Sequence, residues 1–302
     1  MQNTITRPIT HERGFSWRLL ILAACVVLLS ACSAARLGFN NGATVTYWWL
    51  DSYIDFEGEQ KPWVKRHIDD LFSWQRSTQL RGYVDLASRI QRRDLSAVTA
   101  EQLLADFEDG KKRVQTFSER AAPELADLAL SLNAEQIANI EEKLDKNNAK
   151  FRKEYLSGSR EQRQEFRFKK MMKQAEYWFG RFSREQEAEL RLLSDARPLD
   201  NELVFEVREK RQEALIALLQ KIHAEKPSKE ETIRRINAYA RATSEYFGVQ
   251  RHRQFYEATT KANAALVAAM MRMATPQQQS HFVNVVQDWI TDFNRLSAKA
   301  AS

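Results

Sequence analysis

Few side chains in this sequence are both reactive in type and placed where reactivity has an obvious use, and the clearest is a thiol. Cys32 follows Leu29-Ser30-Ala31 at the end of an apolar run, Leu19 to Leu29, which is itself preceded by Arg7, Arg13 and Arg18. A run this short cannot span a bilayer as a helix, so with its basic lead the stretch reads as an export signal covering residues 1–31. Small residues before the cysteine suit a peptidase pocket, which places cleavage between Ala31 and Cys32. Cys25 leaves with the signal, so the mature chain keeps one thiol and has no disulfide partner for it.

The other chemistry-bearing residues do not assemble into a reaction. There is no G-x-G-x-x-G, no Walker-type phosphate loop, no G-x-S-x-G elbow and no H-E-x-x-H. His67, His223, His252 and His281 are far apart, and none has Glu three residues before it, which removes the Glu-x-x-His pairing of di-iron bundles. His67 and Asp70 lie one helical turn apart and read as an exposed pair. Glu141-Glu142 and Glu230-Glu231 are adjacent, so their carboxylates point to different helix faces and cannot share a proton. Trp48, Trp49, Trp63 and Trp74 could line a sugar-binding cleft, but no single Glu stands out as its acid. The reading is therefore no catalytic residue, no metal and no cofactor.

One stretch is chemically uneven. Lys150 to Arg184 holds eleven Lys or Arg against four acidic residues. Within it Arg160, Arg163, Arg167 and Lys170 follow helical steps and form a candidate ridge for an anionic surface: phospholipid, lipopolysaccharide or an envelope protein. Nucleic acid is not an expected partner, because the net charge is only +6, and the signal removes three Arg and one Glu to leave +4. A solvated helix face is the plain alternative for this ridge.

Helices must position all of this. Only 9 Gly and 6 Pro occur in 302 residues, too few for the turns that strands require. Apolar residues recur in steps of three and four at Phe168, Met171, Ala175, Trp178, Phe182, at Leu125, Leu128, Ala129, Leu132, and at Leu215, Leu218, Leu219, Ile222. Helix starts carry a capping-box pattern in which a side-chain oxygen is followed three residues later by Gln or Glu. The cases are Thr99 with Gln102, Asn133 with Gln136, Ser183 with Gln186, Ser228 with Glu231 and Thr275 with Gln278, with Glu57 and Gln60 as a degenerate sixth. Their spacing is uneven, against a strict solenoid. Breaks are expected at Arg81-Gly82, Leu156-Ser157-Gly158, Phe179-Gly180, Ala196-Arg197-Pro198 and Lys226-Pro227. The expected fold is an all-α, multi-helix bundle of diverged hairpins with about eight to ten helices. It occupies residues 44–302 behind a tether at 32–43, as one bundle or as two lobes meeting near 197–198.

Leu29-Ser30-Ala31-Cys32 resembles the lipobox of bacterial lipoproteins, which implies that Cys32 receives a diacylglyceryl group and an amide-linked acyl chain. Ser33, where inner-membrane lipoproteins carry Asp, implies by the same resemblance the periplasmic face of the outer membrane. Tyr47-Trp48-Trp49-Leu50-Asp51-Ser52-Tyr53, then Glu59-Gln60, Trp63 and Trp74, is similar to the opening of a proteobacterial lipoprotein family of unknown function. Val98-Thr99-Ala100-Glu101-Gln102 and Leu132-Asn133-Ala134-Glu135-Gln136 are similar to the Leu-Thr-x-x-Gln motif of small periplasmic stress chaperones, although helix capping alone can generate that pattern. The expected role is a membrane-anchored, non-catalytic binding domain. A client-binding chaperone and a cell-wall or lipid-modifying hydrolase are the alternatives. The sequence does not fix the oligomeric state.

Overall fold

The computed structural model describes residues 41–301, with side chains to residue 298. The expected signal at 1–31, Cys32 and the expected tether up to residue 40 lie outside the described residues. The described part contains α1 (Gly42–Ile54), α2 (Gln60–Trp74), α3 (Leu80–Gln91), α4 (Ala100–Ser131), α5 (Ala134–Phe151), α6 (Arg160–Phe179), α7 (Arg184–Ala196), α8 (Asn201–Glu225), α9 (Lys229–Ser244), α10 (Gln250–Arg272) and α11 (Pro276–Ala301). A π-helical turn, Gln75–Gln79, joins α2 and α3 into one rod, so the described residues form ten rods and no strand. The all-α bundle is what forms. No described helix is long and apolar enough to cross a membrane.

Local chemistry sets most helix starts. Thr99, Asn133 and Ser183 make full capping boxes, each hydroxyl or amide oxygen accepting from the amide three residues on while that Gln bonds back to the cap. Thr275 and Gln278 do the same at 2.9 and 3.3 Å. Ser228 makes only half a box, because the Glu231 carboxylate is drawn to Arg234 and Arg235 instead. A further full box at Ser159 and Gln162 opens α6.

The expected break at Arg81-Gly82 does not occur. One glycine costs a helix about 1 kcal/mol without ending it, and Gly82 lies inside α3 where any Cβ would collide with the Arg113 guanidinium. The irregularity falls instead at the π turn before it. Gly180 does end α6, at φ +75°, where its N–H caps the Glu176 carbonyl at 2.8 Å.

Two apolar cores result. One gathers Tyr47, Ile54, Phe56, Val64, Ile68, Leu128, Leu132, Ile137, Ile140, Leu219 and Ile222 from α1, α2, α4, α5 and α8. The other gathers Leu95, Val98, Met172, Ala175, Phe179, Leu190, Leu266, Met270, Met271, Phe282, Val286 and Ile290, chiefly from α6, α7, α10 and α11. Both draw on helices from either side of Arg197-Pro198. The 32-residue α4, about 48 Å long at 1.5 Å per residue, joins them: Leu103 near its start packs on the second core and Leu128 near its end lies in the first.

Each core has the same device beside it. Gln60 and Gln136 face each other with reciprocal amide bonds of 3.2 and 2.6 Å, while Gln60 also donates to the Ser131 carbonyl and Gln136 to the Asp55 carbonyl. Gln186 and Gln278 face each other at 2.8 and 3.1 Å, donating to the carbonyls of Met273 and Arg181. In all four cases the carbonyl lies five residues before the opposite Gln. Each Gln amide also accepts from the backbone N–H at its own helix start. Two helix starts are thereby locked together without charge, and the capping stretch at 132–136 is used inside the fold.

Candidate functional site

The basic ridge is largely consumed by the fold around it. Arg160 is exposed. Arg163 bonds the Glu202 carboxylate at 2.6 Å and the carbonyls of Leu156 and Ser157. Lys170 pairs with Glu154, donates to the Tyr155 hydroxyl at 2.7 Å and lies over the Phe166 ring. Arg167 turns inward and donates to the carbonyls of Pro198 (2.8 Å), Ser194 (2.7 Å) and Arg197 (3.5 Å), pinning the α7–α8 loop. Burial lowers its proton affinity below the usual guanidinium range, and the charge of Arg160 adds to this. Arg167→Ala is expected to cost about 2 kcal/mol, because it strips the Pro198 carbonyl of the guanidinium donor that pins the loop, whereas exposed Arg160→Ala stays within about 0.5 kcal/mol. Denaturant unfolding of the two variants measures this, and equal small losses would mean that water replaces the guanidinium.

The remaining sequence candidates do not converge. His67 packs on Trp63 with the rings tilted and 4.1 Å between centroids, and Asp70 beside it is exposed. Trp74 packs on Phe117, while Trp48 and Trp49 are 65% and 58% exposed on α1. The Trp residues therefore do not line a common cleft. Glu141 borders a small polar groove between α5 and α8, and Glu230 and Glu231 sit on the first turn of α9. Wherever a carboxyl group is displaced from its ordinary range, it is pushed down, as at Glu206 by bonding to His252 and at Glu165 by bonding to Arg191. For Glu124, burial acts upward, and the bond from Arg120, a backbone N–H and the charges of Arg120 and His67 together outweigh it. Such groups stay ionised and are poor general acids. No cluster of three potential metal ligands occurs among the described residues.

The prominent concavity lies elsewhere, in a slot of about 670 Å³ between α3, α6, α10 and α11. Its walls are Ala87, Ile90, Met171, Trp178, Leu266, Val267, Met270 and Phe282, with Val286 and Trp289 beside them. The few polar groups on its lining are Gln174, Arg197 and Asn263. Arg197 donates to Asn263 Oδ1 at 2.8 Å, and to the Ser194 hydroxyl and carbonyl at 2.9 and 3.3 Å. Burial first, then the neighbouring Arg167, lowers its pKa to about 10. At neutral pH it remains a desolvated cation.

Sequence periodicity gave no separate signal for this slot. Its α6 wall belongs to the stripe Phe168, Met171, Ala175, Trp178, Phe182, which reads as core. In the structure the best-buried line is Met172, Ala175, Phe179, and Met171 and Trp178 are half-buried on the slot wall. A second feature follows from α1. Val45, Trp48 and Trp49 form an exposed apolar face, opposite the buried Tyr47 and Ile54.

No curated protein and no solved structure matches the chain. The model of a family of unknown function, DUF6279, matches residues 52–239, from α1 into α9 and short of α10 and α11. This chain belongs to that family.

Proposed function

We propose that this is a lipid-anchored protein of the outer-membrane periplasmic face whose helical domain is a non-catalytic binding module seated against the bilayer. The observation that carries the reading is the exposed face of α1. Val45, Trp48 and Trp49 are 49%, 65% and 58% exposed, and their spacing puts them on one side of the helix. Indole rings are suited to the membrane–water boundary, with an apolar body and a polar N–H. With nine residues between Cys32 and α1, the reach is at most about 36 Å, ten steps of up to about 3.6 Å, which keeps α1 near any acyl chains on Cys32. Two or more acyl chains give stable anchoring where one is marginal. The tryptophans then serve to orient the domain.

Intact mass of the mature protein should show a lipidated N-terminus at Cys32; an unmodified N-terminus elsewhere overturns the anchor. Orientation is tested separately by reconstituting wild type and Trp48→Ser/Trp49→Ser in phosphatidylethanolamine–phosphatidylglycerol vesicles doped with brominated lipid. Strong quenching of wild-type tryptophan emission, largely lost in the double variant, is expected. Equal quenching in both would refute the α1 face as the contact.

A further inference from the structure

We infer that the slot between α6, α10 and α11 is a binding site for a single-chain amphiphile with an anionic head, its acyl chain along the slot and its head group at Arg197. The site is independent of the α1 membrane face. A volume of about 670 Å³ with an almost wholly apolar lining has the size and character of a ligand pocket. Its polarity is segregated. Along α10 the lining runs from Asn263 to Met271, about 12 Å of helix axis. Arg197 bonds Asn263 and so marks one end. Phe179 stacked on Phe282 at 5.1 Å, with Met270 and Met271, closes the other. An acyl chain matches such a one-ended gradient.

The head-group assignment rests on charge. Three hydrogen bonds occupy part of the five-donor guanidinium of Arg197, and none of them goes to a carboxylate. The acid that acts on it, Asp195, is held by Arg191 at 2.8 Å. Arg167, half-buried, adds a second cation nearby. A carboxylate or phosphate would be a fitting counter-charge, since planar guanidinium binds either in bidentate fashion. A peptide is a poorer fit. The walls are helices whose amides and carbonyls are already paired along their own axes, so a peptide backbone would enter the slot without partners.

The test uses the full-length protein in amphipol, free of detergent. It is irradiated with palmitate carrying a diazirine near its terminal methyl. Label should map to α6 and α11 around Phe179 and Phe282, be displaced by unlabelled palmitate, and fall at least ten-fold in Val267→Trp, which fills the slot. Label scattered over other helices in wild type, or undiminished in a folded Val267→Trp, overturns the site. Competition by palmitate, lysophosphatidate and hexadecanol tests the head group. Wild type should prefer the anions to the alcohol by about ten- to a hundred-fold, the range of a charge-assisted bond. Arg197→Gln should erase that preference and Arg197→Lys restore part of it. Stronger competition by lysophosphatidate than by palmitate would name a phosphate head, and the reverse a carboxylate. Hexadecanol competing as well as palmitate against wild type would refute the role of Arg197 whatever the variants do.

Discussion

Phe179→Ala is expected to destabilise the protein by about 3–5 kcal/mol, while Trp178→Ala, the larger truncation, costs no more than about 2 kcal/mol. Phe179 is 4% exposed and stacks on Phe282 inside the second core. Removing its ring strips the packing from Phe282 and the neighbouring core and leaves a void that joins the end of the slot. Trp178 is half-buried, meeting Tyr177 and Phe282 and bordering the slot, so less of its ring has packed neighbours to lose. Urea unfolding of the two variants measures the order. A greater loss for Trp178→Ala would mean that the slot is closed around that ring, and would remove the volume on which ligand binding depends.

Gln136→Leu should cost about 3 kcal/mol although leucine is the more apolar residue. Gln136 is 1% exposed, and its amide bonds the Asn133 N–H, the Asp55 carbonyl and both amide atoms of Gln60. Leucine leaves two backbone groups without partners, at about 1–3 kcal/mol for each group that stays dry. Gln278→Leu, 5% exposed with the equivalent bonds to Thr275, Arg181 and Gln186, should lose a similar amount in the other core. Thermal unfolding by circular dichroism reads both. Losses below about 1 kcal/mol would show that water satisfies the stranded groups and that the pairs do not lock the helices. A large loss at only one site would separate the two pairs in function.

What could be read directly from the residues was whatever a single turn of helix decides. Boxes at Thr99, Asn133, Ser183 and Thr275 depend on residues three apart, and the expected starts are there. Ser159-Gln162 obeys the same rule but follows Ser157-Gly158 rather than an apolar residue, so the pattern marked a break there and not a start. Gly82 shows the converse: a single glycine costs a helix too little to end it, and the Arg113 guanidinium lies where its side chain would be.

The candidate sites required distant partners and were less visible. Arg160, Arg163, Arg167 and Lys170 do share helix α6, yet nothing within it reveals that Arg167 meets carbonyls some thirty residues on, at Ser194 and Pro198. The slot was hidden for a related reason. Core and ligand cavity use the same residue types at the same period, and they differ only in whether a neighbouring helix comes close enough to fill the space. Arg197 held the one local hint, a cation in a loop beside Pro198, and it reads as an ordinary hinge until Asn263 is placed next to it.

The paired glutamines carry an evolutionary implication. Each pair is made from two six-residue stretches, 55–60 with 131–136 and 181–186 with 273–278, so a segment that keeps both stretches carries its own lock with it. Nothing in the lock depends on the length of chain between its halves: Gln60 and Gln136 are separated by 76 residues, Gln186 and Gln278 by 92. Loops and helices can therefore lengthen between the halves while the register at the helix starts is inherited unchanged. On this view the chain is one assembly rule applied twice, and the second application extends beyond residue 239, where the family match ends, to bring in the helices that wall the slot.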